Sequence, residues 1–127
     1  MSEPFLRQGA MHLASLITAI NVMVAGGFSI AAARHASTEA SLIFALYAAA
    51  RAIPICLAAL IAIYRRAGPA LLALGTLAGV IQLLDAGIGF IQHDPGKSFG
   101  PLIIAAFQFL AMLNLSRSMR GQAVPSG

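Results

Sequence analysis

Residues 41–64 read SLIFALYAAARAIPICLAALIAIY, twenty-four residues with one charge, Arg51. After the basic turn Arg65-Arg66-Ala67-Gly68-Pro69, residues 70–91 run apolar again with one charge, Asp85. A stretch of 18 or more residues with almost no charge is long enough to cross a bilayer as a helix. β-Barrel strands are shorter and alternate polar with apolar residues, and neither run does so. Working outward, apolar segments span about 10–33, 41–64, 69–92 and 100–115, the last continuing to Met119. The chain therefore predicts an all-α, integral membrane four-helix antiparallel bundle, with residues 1–127 as one transmembrane domain.

Composition agrees. Apolar residues make up 59% of the chain and charged residues 9%, against about 25% charged in soluble domains. Four spans leave little chain for an extramembrane domain. The net charge of +4 does not imply nucleic acid, because the basic residues are scattered at the ends of apolar runs. They read as topology signals. Cys56 is the single cysteine, so no internal disulfide or Cys-x-x-Cys relay exists. Trp is absent, which leaves Tyr47, Tyr64 and the phenylalanines for the interfacial belts.

The connections carry helix punctuation. Ser37 or Thr38 suits the N-cap of the second helix. Gly68 suits the end of that helix and Pro69 the first turn of the next. Residues 93–98, His-Asp-Pro-Gly-Lys-Ser, read as a turn, and the tail beyond Arg120 is expected to fray. Arg7, Arg65, Arg66, Arg117 and Arg120 fall on one side of the membrane, Arg34 and Lys97 on the other. Five against two places both termini in the cytoplasm, with the bacterial inner membrane as the expected location. Ala31-Ala32-Ala33 resembles a signal-peptide cleavage site. The apolar run before it exceeds the usual length of such a peptide's core, so the first segment is expected to be retained. Gly75 and Gly79 form a G-x-x-x-G, suited to close packing inside the bundle or to a homo-oligomer interface.

A polar layer cuts across the spans. Measured from Ala33, Ser41, Gln92 and Gly100, Arg51 and Gln82 lie about 15 Å in at about 1.5 Å per residue. Asp85 lies about 10 Å in, Gln108 about 12 Å and Asn21 about 18 Å. Helical phase puts Gln82, Asp85, Gly89 and Gln92 on one face, and Tyr47, Arg51, Pro54 and Ala58 on another. Thr18, Asn21 and Ala25 share a face of the first helix, and Gln108 shares one with Ile104, Ala111 and Leu115. Ionisable groups inside a membrane are candidate functional groups and tend to pair. The expectation is a secluded pocket binding a small lipophilic molecule. There Arg51 would grip an anionic or carbonyl oxygen and Asp85 would act as general acid or base. Tyr47, Asn21, Gln82 and Gln108 would hold the ligand. Pro54 would free the Ala50 carbonyl as a further acceptor beside Arg51. His93, near the mouth, would carry protons.

The structural alternative is an Arg51–Asp85 ion pair fixing helix register, with the amides as interhelical glue worth about 0.6–2 kcal/mol each. Two other functions fit the pattern: a small proton-coupled transporter acting as an oligomer, and a structural accessory subunit. His12, His35 and His93 lack ligand spacing, so neither a metal nor a cofactor is predicted. Gly96-Lys97-Ser98 lacks the rest of a phosphate loop. The expected partners are membrane lipid, a small lipophilic ligand and a second copy of the chain.

The run Leu46-Tyr47-Ala48-Ala49-Ala50-Arg51, the basic turn Arg65-Arg66 and the intrahelical Asp85 resemble the DoxX-like group of small four-helix membrane proteins, over residues 42–92. Pro54 and Cys56 stand where some members of that group have a Gly. The resemblance implies a four-helix bundle and association with respiratory or quinone-linked partners.

Overall fold

The computed structural model describes residues 3–121. It is all-helical, with α1 Glu3–Arg34, α2 Glu39–Tyr64, α3 Gly68–Ile91 and α4 Pro95–Arg120. All four helices are long and apolar enough to cross a membrane. The expected tail beyond Gly121 lies outside the described residues.

Local chemistry sets the ends. Thr38 caps α2 in a capping box with Ser41. Asp94 caps α4 by accepting from the Lys97 backbone N–H at 3.2 Å, with Pro95 in the first turn. That hydrogen bond holds the Asp94 carboxyl below its usual range, helped by the Lys97 charge. The third turn is thus only Gln92-His93-Asp94, shorter than expected. Gly96, Lys97 and Ser98 already belong to α4, because an Asp cap followed by Pro starts a helix rather than ending a loop.

The α2–α3 turn differs from its expectation too. Gly68 does not end α2; it opens α3. Arg66 takes the left-handed position, with φ 51°. Its N–H reaches the Ile63 carbonyl, and the Ala67 N–H reaches the Ala62 carbonyl. This is a Schellman motif, in which glycine is the usual occupant of that position. His93 repeats it at the other end of α3, with φ 54°. The His93 N–H bonds Phe90 and the Asp94 N–H bonds Gly89.

Small residues decide the packing. The buried face of α3 is Leu71, Gly75, Ala78, Gly79, Gln82, Ala86 and Gly89. It lies along α4: Gly75 faces Met112, Gly79 faces the Phe109 ring, and Gly89 sits against the Lys97–Ser98 backbone. The G-x-x-x-G is therefore used inside the bundle and is not available to a second copy. Helix α1 packs on α2 and α4, α2 touches α3 only along a thin seam, and α2 does not reach α4. Large apolar side chains such as Phe28, Phe44, Phe107, Leu110 and Ile91 point outward. Small residues inside and large apolar ones outside is the arrangement that suits lipid, where helices associate by close backbone approach.

Candidate functional site

The interior holds a chain of four buried polar side chains. Gln82 Nε2 donates to Asn21 Oδ1 at 2.7 Å. Asn21 Nδ2 donates to Gln108 Oε1 at 3.1 Å. Gln108 Nε2 donates to Thr18 Oγ1 at 2.8 Å. Asn21 is 1% exposed, and Gln108 and Thr18 are fully buried. The donors all run one way, from α3 through α1 to α4 and back to α1, so each bond polarises the next. Among the described residues, no fully buried side-chain nitrogen or oxygen lacks a partner.

Asn21, Gln82 and Gln108 are thus brought together as expected, and Thr18 joins them as the last acceptor. Its signal was present in the sequence, one helical turn before Asn21. These amides satisfy one another. The void beside them, lined by Asn21, Val22, Ala25, Ala52, Ile55, Ala78 and Ile81, measures about 20 Å³. That is room for one water, not for a ligand.

The other expected site residues lie elsewhere. Tyr47, Arg51, Pro54 and Ala58 do share a face, but it is the outward face of α2, with Tyr47 66% exposed. The buried face is Ala45, Ala49, Ala59 and Ala62. Alanines let α2 approach its neighbours, whereas an inward Arg would hold it away. Asp85 is also exposed: it sits one turn from Gln82, but the packed stripe runs through Ala86 and Gly89 instead. Arg51 and Asp85 form no direct ion pair. The described ion pair is Lys97–Asp94, at 3.5 Å on the surface. Arg51 Nε donates instead to the Tyr47 carbonyl at 3.4 Å, rather than to the Ala50 carbonyl freed by Pro54. His93 is exposed at the tip of the α3–α4 turn and serves its backbone geometry. The expectation that Arg51 and Asp85 share an enclosed cavity with the amides is therefore corrected: two polar sets exist, one sealed inside and one facing out.

A larger opening lies where the start of α1, the α2–α3 turn and the end of α4 meet. It is an open cleft of about 1070 Å³. Arg7, His12, Arg66 and Arg117 line it, over apolar Met11, Ile63, Leu115 and Met119. By position in the sequence these arginines have only the signature of topology signals. Their convergence comes from three segments distant in sequence and has no local signature.

No known protein family, curated protein or solved structure matches this chain. The DoxX-like resemblance rests on its own residues within 42–92, of which Arg51 and Asp85 lie on the outward surface.

Proposed function

We propose that this protein is an integral membrane subunit that assembles with a second copy through the outward Tyr47, Arg51 and Asp85 surface, while its sealed amide chain keeps the protomer rigid. The observation that carries this reading is the pair of opposite charges facing out at span depth beside the thin α2–α3 seam. Arg51 lies twelve residues into α2, about 18 Å along the axis. A charge at such depth costs about 2.5–3.5 kcal/mol on insertion scales unless it is partnered.

Geometry makes the surface self-complementary. Side chains lean toward the N-terminus of their own helix, and Arg51 does so toward Tyr47. Helices α2 and α3 are antiparallel, so Asp85 leans the opposite way and the two charged ends converge in depth. A twofold axis along the membrane normal would set each Arg51 against the partner's Asp85 twice over, as an isologous contact requires. Among the described residues, the void beside the amides has room for about one water, which favours neither acid–base work by Asp85 on an enclosed ligand nor passage of a solute. The assembly reading needs neither. Four helices long and apolar enough to span support membrane insertion, and the five-to-two distribution of basic residues supports placing both termini in the cytoplasm.

Mixing charge-reversed chains tests this reading. The native chain in nanodiscs is expected to be dimeric by native mass spectrometry. Arg51→Glu alone and Asp85→Arg alone should each be monomeric, since each sets like charges together. Mixed, the two variants should form a heterodimer, because both contacts then pair opposite charges. A monomeric native chain, or single reversals that leave the dimer intact, would sink the proposal.

A further inference from the structure

The cleft at the arginine-rich end of the bundle is a second place with unspent binding capacity. Three guanidinium groups, Arg7, Arg66 and Arg117, converge there with His12. Among the described side chains, those of residues 4–121, none that lines it is acidic. Glu39, Asp85 and Asp94 lie toward the other end of the bundle or within it. The floor is apolar and flexible, with Met11 and Met119 among its residues. Arginine's planar fork matches phosphate oxygens two at a time, and methionine adapts to irregular apolar shapes. A volume of about 1070 Å³ sits at the upper end of small-molecule sites.

The backbone supplies an independent observation. Arg66 occupies a left-handed turn position at φ 51°, although no glycine in the described chain does so. A bulky residue there carries a backbone cost that glycine would not. Strain of this kind gathers at ligand clamps. At this position it holds the Arg66 side chain on the rim of the cleft.

We propose that the cleft binds a phosphate-bearing anionic membrane lipid, its headgroup phosphate held by Arg7, Arg66 and Arg117 and the start of its acyl chains lying on the methionine-lined floor. Basic pockets between transmembrane helices on the cytoplasmic side suit such headgroups. The site is separate from the Arg51–Asp85 surface, so the monomeric Arg51→Glu chain should retain it.

The test measures thermal unfolding of purified protein in detergent, with added phosphatidylglycerol, phosphatidylcholine or soluble glycerol phosphate. Phosphatidylglycerol should raise the unfolding temperature, and the other two should not. Arg66→Gly should raise the unfolding temperature of lipid-free protein by relieving the turn, yet weaken the apparent affinity for phosphatidylglycerol at least tenfold. His93→Gly relieves the same strain at the opposite end of α3 and should leave lipid binding unchanged. Arg7→Gln/Arg117→Gln should also lose the lipid response. Equal shifts with phosphatidylcholine would show that acyl burial alone is at work. An equal shift with glycerol phosphate would show a site for soluble phosphate. An Arg66→Gly chain that still responds fully would show that this guanidinium is not a ligand. Any of these three results overturns the proposal.

Discussion

Gln108 donates to Thr18 and accepts from Asn21, so its loss strands a donor and an acceptor together. Leaving a buried polar group without a partner costs about 1–3 kcal/mol. Interhelical hydrogen bonds in membranes average nearer 0.6 kcal/mol, because the unfolded chain also finds partners in lipid. Here the stranded groups sit in a sealed core, so the larger figure should hold. Gln108→Leu is expected to destabilise by about 1–3 kcal/mol in detergent unfolding. Adding Thr18→Val should cost less than the sum of the two single changes, since the pair shares one bond. Full additivity would mean that the amide chain is not a unit. Arg51 and Asp85 look from their depth like interior groups, but depth says nothing about which way a side chain faces.

Helix α3 shows how an element is built from its smallest residues. Gly79 lies where an added Cβ would be 2.9 Å from the Phe109 ring, and at Gly89 it would meet the Lys97 and Ser98 backbone. A side chain can turn aside, but a backbone cannot. Gly89→Ala should therefore separate α3 from α4 and cost about 1–3 kcal/mol. Gly87, two residues earlier on the outward side, has nothing within 4 Å of an added Cβ. Gly87→Ala should stabilise by about 0.5–1 kcal/mol through the gain in helix preference. Unfolding of the two variants side by side checks this, and equal effects would contradict the packing described above. The spacing of glycines and alanines was visible in the sequence. Which neighbour they served was not, because a G-x-x-x-G fits α4 and a second copy equally well until the bundle is assembled.

Across the whole molecule, burial is uneven. About 17% of the most apolar window of α2 is buried, against 33% for α3 and α4. Helix α2 leans on α1 and meets α3 along a thin seam. Regions with few buried contacts open first. Hydrogen exchange on the Arg51→Glu chain, expected to be monomeric, should enter α2 ahead of α3 and α4, and the proposed dimer of the native chain should slow exchange most on α2. Uniform exchange across the four helices, or no difference between the two chains, would count against both the weak seam and the proposed contact.

Much of this architecture was legible in the chain alone. Long apolar runs specify four helices, because only a helix satisfies its own backbone in lipid. Thr38, Pro69 and the basic residues mark where those helices stop and start. Asn21, Gln82 and Gln108 could be placed at one depth, because rise per residue is a constant of the helix. Tertiary packing alone decided which faces turn inward. Periodicity puts side chains on a common face without saying what that face will meet. Close approach of backbones selected the alanine and glycine stripes, which carried the three amides inside and left Arg51, Tyr47 and Asp85 on the outer surface. The arginine cleft likewise exists only once three distant segments of chain come together at one end of the bundle.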